Sequence, residues 1–215
     1  MQRWKTAVPM MLLVLLLSAC SRSESRMQEA LHFRTSLLQA QRCGFTAELT
    51  AQGETETYSC TLGCEADGQG QVTVTVIEPE EIAGVTAVVS REGTEVSYDG
   101  LRLSFGQLCG TTTPVGAPGL LYAAWTGGYI AASGSEDGLT LTRYLLGTGS
   151  GERQVDTWFD AGGTPVACDV SENGVVVLSC RLRDWRLGPA ETAALPEDSG
   201  QTPAQPAPEP EPSPS

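Results

Sequence analysis

Cys43-Gly44-Phe45-Thr46-Ala47-Glu48-Leu49-Thr50 is the stretch in which the hydrophobic period of the chain changes. Cys43, Phe45, Ala47 and Leu49 share one face and Thr46, Glu48 and Thr50 the other, the period of two expected of a strand with one buried side. Just upstream, Met27 to Gln41 reads as an amphipathic helix. Met27, Ala30, Leu31, Phe33, Leu37, Leu38 and Ala40 form a broad apolar stripe at helical spacing. Downstream, Tyr58, Cys60, Leu62 and Cys64 again fall on one face, and Gly53-Glu54 suits a two-residue turn with glycine first. That turn sets Leu49 opposite Tyr58, Ala47 opposite Cys60, Phe45 opposite Leu62 and Cys43 opposite Cys64. Opposed residues lie close enough to bond, so Cys43–Cys64 is the expected disulfide, with Cys60 as the partner if the register slips by two.

Alternation continues through Val72 to Val76, Thr86 to Arg91 and Glu95 to Tyr98, and Asp99-Gly100 turns the chain into Leu101 to Phe105. The pattern breaks between Gly110 and Gly128. There Pro114 and Pro118 precede Leu120-Leu121-Tyr122-Ala123-Ala124-Trp125, a short helix closed by Gly127-Gly128. Strands resume at Tyr129 to Ala132, Leu139 to Leu146, Glu152 to Phe159, Pro165 to Val170 and Val175 to Leu187. A three-residue loop, Glu172-Asn173-Gly174, places Val166, Cys168 and Val170 opposite Cys180, Leu178 and Val176. Cys168 and Cys180 are then diagonal neighbours, and a bond between them would be strained. Single-faced alternation predicts an antiparallel sheet with one covered and one wet face, the two helices supplying the cover.

The ends of the chain are of a different kind. Arg3 and Lys5 precede an apolar run, Val8 to Leu17, of secretory length, and Leu17-Ser18-Ala19-Cys20 closes it with the small residues that a lipoprotein cleavage box requires. The expected organisation is a cleaved signal over 1–19, a lipidated tether over 20–26 that starts at Cys20, a domain over 27–187, and a Pro/Glu-rich tail over 188–215. That tail is too poor in apolar residues to bury a core. Anchoring through acyl chains on Cys20 puts the domain on the extracytoplasmic face of a cell membrane.

The chain has 13 basic and 26 acidic residues, and loss of Arg3 and Lys5 with the leader takes the net charge from −13 to −15. So acidic a surface, with no basic stripe, excludes nucleic acid as a partner. Besides Cys20 there are six cysteines: Cys43, Cys60, Cys64, Cys109, Cys168 and Cys180. An even set in an exported domain reads as disulfides, and Cys60-x-x-x-Cys64 alone is no zinc motif.

Catalytic sets are missing from the sequence. Lys5 is the only lysine and His32 the only histidine. Schiff-base and Ser-Lys chemistry are excluded from the mature chain, and a two-histidine zinc site with them. His32 reads as a helix-surface imidazole. Gly147-Thr148-Gly149-Ser150-Gly151 joins two strands with no helix after it, so it is a hairpin turn and not a phosphate loop. Glu78-Pro79-Glu80-Glu81 reads as a charged surface loop. No cofactor, metal or enzymatic activity is expected. Trp125, Trp158, Trp185, Tyr122 and Tyr144 are core or cavity aromatics.

Four stretches carry a family likeness. They are the helix ending Leu37-Leu38 that runs into Phe45-Thr46-Ala47-Glu48, the strand and turn from Val74 to Val85, the hairpin from Val96 to Leu103, and Val155 to Val170 with the strand through Cys180 to Trp185. In this order they resemble the LolA/LolB-like envelope lipoprotein superfamily, in particular its Gram-positive branch that includes spore-germination lipoproteins. The resemblance implies a mainly β fold with helices (α+β): a strongly curved antiparallel sheet, or half-open β-barrel, with helices plugging the concave face. It implies binding of an acyl chain in a concave apolar cavity, or use of the scaffold to engage an envelope protein partner. Phe45, Leu62, Val74, Leu103, Leu178 and Trp125 are the candidate lining. The chain departs from the family in its six cysteines and in lacking a placeable cargo-binding arginine, Arg102 and Arg143 both having outward parity. The expected function is that of a membrane-anchored, non-catalytic lipoprotein that binds lipid or a hydrophobic segment. The alternative is a regulatory subunit of an envelope enzyme or sensor.

Overall fold

The computed structural model describes residues 24–52, 56–108 and 111–188. Helix α1 covers 24–39. Six strands follow: β1 (Arg42–Gln52), β2 (Thr57–Asp67), β3 (Val72–Glu78), β4 (Thr86–Val89), β5 (Thr94–Tyr98) and β6 (Leu101–Phe105). Helix α2 (Ala117–Gly127) leads to β7 (Tyr129–Glu136), β8 (Leu139–Leu146), β9 (Arg153–Phe159), β10 (Pro165–Glu172) and β11 (Val175–Gly188). All eleven strands form one antiparallel sheet in the order β6-β5-β4-β3-β2-β1-β11-β10-β9-β8-β7. The chain lays β1 to β6 outward to one edge, and the segment containing α2 carries it to the other edge. It then returns until β11 pairs with β1. The sheet does not close, so β6 and β7 remain edges, and the architecture is the expected half-open barrel with helices on one face.

Alternation explains which face is covered. Phe45, Ala47 and Leu49 on β1, Leu62, Cys64 and Ala66 on β2, and Val72, Val74 and Val76 on β3 are all buried. Beneath them α1 supplies Ala30, Phe33 and Leu37, and α2 supplies Leu120, Leu121, Ala124 and Trp125. Trp125 lies at the centre, with edge-on ring contacts to Phe33, Phe45 and Trp185 at 6.1, 5.7 and 5.5 Å. The buried stripe of α1 is narrower than its periodicity predicts: Leu31 and Leu38 point outward and are exposed. At the start of α2, Gly116 passes so close to Leu108 that a Cβ there would lie 2.3 Å from the Leu108 carbonyl oxygen. Any larger residue is excluded at that position.

Two hairpin registers differ from expectation, both for reasons of loop length. β1 and β2 end at Gln52 and Thr57, so the connection holds four residues and the pairing shifts by two. Leu49 therefore opposes Cys60, Phe45 opposes Cys64, and Cys43 opposes Ala66, not Cys64. The predicted Gly53-Glu54 turn lies outside the described residues. In the last hairpin Asn173 and Gly174, with φ of 52° and 78°, make a two-residue turn that pairs Glu172 with Val175. An irregularity between Val170 and Ser171 then leaves Val177 as an extra residue on β11, and Cys168 comes directly opposite Cys180.

Cys43, Cys60, Cys64, Cys168 and Cys180 are free thiols in this structure, and Cys109 lies outside the described residues. So do the signal, Cys20, most of the tether and the Pro/Glu-rich tail. No helix among the described residues is long and apolar enough to cross a membrane.

Candidate binding cleft on the concave face

Where α1 and α2 cover the sheet, the concave side is filled. Phe45, Leu62, Val74, Leu178 and Trp125 are all buried in this core. Toward β8 and β9 the cover is incomplete, and a cleft of about 660 Å³ opens between α1, the β9–β10 turn and the end of β11. Its volume falls in the ordinary range of ligand sites, about 300–1,000 Å³. Phe33, Phe159 and Trp185 make its aromatic floor, and Leu187 adds an aliphatic side. Phe33 meets Phe159 edge-on at 4.8 Å and Trp185 in a tilted contact at 5.7 Å, and Phe45 stacks behind Trp185 at 5.6 Å.

A backbone irregularity aims Trp185. Along β11, Leu178, Cys180 and Leu182 point inward, so strict alternation would turn Trp185 and Leu187 out to solvent. Between the pairs Thr46–Arg183 and Gly44–Arg186 the register shifts by one. Asp184 sits in this bulge with φ of 52°, a left-handed conformation that a short polar side chain tolerates. Its Oδ2 accepts a hydrogen bond from the Thr46 hydroxyl at 3.0 Å. The bulge inverts the parity beyond it and brings Trp185 and Leu187 to the cleft. In the sequence, the sign of this was a charged pair, Arg183-Asp184, interrupting an apolar alternation.

The other wall depends on Arg34 of α1. Its guanidinium donates to the carbonyl oxygens of Trp125 (2.8 Å), Ala124 (3.4 Å) and Gly128 at the C-terminal end of α2, where the Ala124 carbonyl also accepts from the Gly128 amide. A cation there also opposes the negative end of the helix dipole. The same guanidinium lies 5.8 Å from the centre of the Tyr144 ring. One side chain thus fixes α1 to α2, and with it Phe33 in the floor of the cleft.

The titratable groups at the cleft are Glu29, His32 and Asp160. Asp160 is occupied structurally, its Oδ1 accepting from the amides of Gly162 (2.8 Å) and Thr164 (2.9 Å) and so shaping the β9–β10 turn. Glu29 accepts from the Thr140 hydroxyl at 3.4 Å, and His32 is exposed at the rim. Burial suppresses the thiols elsewhere on this face. Cys43 and Cys168 are pushed up to about 12, and Cys64 and Cys180 also rise, so all four stay protonated and unreactive at neutral pH. Among the described residues no group of His, Cys, Asp and Glu is arranged to hold a metal ion.

The remaining sequence candidates lie outside the cleft. Leu103 is 61% exposed on β6, the edge strand. Trp158 faces outward and donates to Glu136 at 2.7 Å. Arg143 makes a two-pronged pair with Asp156 on the outer face at 2.9 Å, and Arg102 pairs with Glu95 in solvent. The segment after Glu78 is an exposed short 3-10 turn, Glu80–Ile82.

No protein-family model matches the chain, and no curated protein sequence matches it. Solved structures do. A LolA superfamily protein from Nitrosomonas europaea is similar with a TM-score of 0.46 at 11% identity, over 77% of this chain and 93% of that one. A putative outer membrane lipoprotein-sorting protein domain from Vibrio parahaemolyticus has a TM-score of 0.43 at 8% identity, over 82% and 95%. A chain of the Clostridioides difficile CwlD amidase in complex with the GerS lipoprotein has a TM-score of 0.38 at 11% identity, over 72% and 91%.

Proposed function

We propose that this protein is a membrane-anchored, non-catalytic lipoprotein that takes an acyl chain into the cleft between α1 and the β8–β9 side of the half-barrel. The observation that carries this reading is the position of an aromatic-floored cleft at the start of α1. Ala30 and Phe33 line it, ten and thirteen residues after Cys20. Four residues extended span at most about 14 Å. Six residues of helix add about 9 Å. A lipid on Cys20 therefore holds the cleft within reach of a bilayer surface, where the acyl chains of membrane lipids are available. Glu29 and Asp160 at the rim, on a chain of net charge −15 once Arg3 and Lys5 leave with the leader, favour a neutral or zwitterionic lipid over an anionic one.

The test is native mass spectrometry of the full chain extracted from membranes in mild detergent. Co-purifying lipid is expected for the wild type and lost in Ser36→Trp, which fills the cleft from its α1 wall. A wild type that is consistently empty, or a variant that keeps its lipid, overturns the reading.

A second reading, a regulatory subunit that docks on an envelope protein, is favoured by the opposite edge. Val74, Ala87, Val96 and Leu103 oppose one another in a row, so Leu103 continues the inner face beyond the helices. Leu101, Leu103 and Phe105 are exposed there on β6, the edge strand that pairs only with β5, with Tyr98 of β5 exposed beside them. Under this reading the double variant L101D/L103D abolishes recovery of a stoichiometric partner from solubilised envelope. Unchanged recovery counts against it.

A further inference from the structure

We propose that Cys168 and Cys180 form a disulfide across the β10–β11 hairpin when the chain folds in an oxidising compartment. The argument starts from register. The Asn173-Gly174 turn pairs Glu172 with Val175 and Ser171 with Val176, a register in which Cys168 would face Ser179. Val177 is left unpaired, the register advances by one, and from Val170–Leu178 onward Cys168 stands opposite Cys180. Directly opposed residues of an antiparallel pair have Cα atoms about 4.5–5.5 Å apart. A disulfide accepts about 4.4–6.8 Å.

Both side chains point to the same face, and each is buried: Cys168 is 0% exposed and Cys180 3%. As thiols they turn elsewhere, Cys168 to the Thr157 hydroxyl at 3.5 Å and Cys180 to the Arg181 carbonyl at 3.7 Å. Closing the bond gives up only these two weak contacts. No other described pair of cysteines is directly opposed. Cys43 faces Ala66, Cys64 faces Phe45 and Val74, and Cys60 faces Leu49.

Burial sets the timing. The sulfurs are out of reach in the folded domain, so the bond closes while the hairpin is formed and the helices are not yet docked. Two S–H bonds break and one S–S bond forms. The two electrons and two protons pass to a disulfide oxidant, which leaves as two thiols. The inference rests on the export implied by the Val8–Cys20 leader, because such bonds persist outside the cytoplasm. Once made, the bond is shielded from reductant until the domain unfolds.

The sequence offers a clean test. The mature chain lacks lysine, and no arginine lies between Arg153 and Arg181, so trypsin releases Gln154–Arg181 carrying Cys168, Cys180 and no other cysteine. The full chain, exported with its own leader, is denatured in an alkylating agent without reductant and digested. The expected peptide is unalkylated, lighter by two hydrogens than the dithiol, and still joined after cleavage at Glu172. The same full chain is also reduced in denaturant and refolded in a glutathione redox buffer. A bond formed on refolding but absent from exported material supports the pairing and overturns the export reading. A doubly alkylated peptide in both samples, or one linked to a peptide bearing another cysteine, overturns the pairing.

Discussion

Asp184 is a non-glycine residue with φ of 52°, and the floor of the cleft depends on it. Asp184→Gly suits the left-handed backbone and gives up the Thr46 hydrogen bond, so it keeps the fold at a cost below about 1 kcal/mol. Asp184→Val places a β-branched side chain in that conformation and costs about 1–3 kcal/mol. It also tends to expel the bulge, turning Trp185 outward, which red-shifted tryptophan emission together with chemical denaturation detects. The Tyr144 hydroxyl is buried without a hydrogen-bond partner. Removing an unsatisfied polar group relieves its desolvation, so Tyr144→Phe leaves stability unchanged or raises it by up to about 1 kcal/mol in thermal unfolding. The thiols give a pH signature. Burial raises Cys43 and Cys168 from 9.0 to about 12, so the folded chain retains protons that the unfolded chain releases. The reduced protein therefore keeps this contribution below pH 9.0 and loses it progressively as pH rises toward 12. Denaturation midpoints of reduced protein measured across that window check the sign, and the oxidised hairpin removes the share due to Cys168.

At the scale of elements, the contact that organises the concave face is the Arg34 cap on α2. Arg34→Ala leaves the carbonyls of Trp125, Ala124 and Gly128 without their charged donor and removes the cation from the helix end. A loss of about 1.5–3 kcal/mol is expected from chemical denaturation, with Arg34→Lys intermediate because a single ammonium cannot span the same oxygens. The helical period of 27–41 was legible in the sequence, and so were Phe33 and Leu37 as its buried side. The partner of Arg34 was not, since it lies 91 residues away and no local pattern encodes it. Hairpins divide in the same way. Asp99-Gly100, with φ of 48° and 78°, turns as read, because that turn chemistry is local. The β1–β2 register departs from the expected one because alternation is preserved by any slip of two, and only the loop length chooses among them.

At the scale of the whole molecule, anchor, cleft and exposed edge make separable claims. Cys20→Ser is expected to move the protein from the membrane to the soluble fraction while far-UV circular dichroism of the domain stays the same. Retention on the membrane would show that the anchor lies elsewhere. The L101D/L103D pair, placed on exposed positions of an edge strand, is expected to change stability by less than about 1 kcal/mol, so any lost partner binding reports on the surface and not on the fold. The topology keeps these sites apart: β1 and β11 meet at the middle of the sheet, the cleft opens toward the β8–β9 side, and β6 ends the opposite edge.

By itself the sequence determined the class of fold, because period-two alternation with one apolar face admits little but a half-covered antiparallel sheet, and two short helical segments were available to cover it. It also set the expected address at Cys20, and it holds a single lysine, Lys5, and a single histidine, His32. Tertiary structure alone decided which part of the apolar face is open. Phe45, Leu62 and Trp125 carry the same apolar signature as Phe33, Phe159 and Trp185, yet the first three lie within the closed core and the other three floor a cleft. The difference comes from where two helices end over a curved sheet and from the single-residue bulge at Asp184. A bulge shifts parity by one without altering composition, so it leaves almost no trace in the hydrophobic pattern while deciding what each later side chain faces.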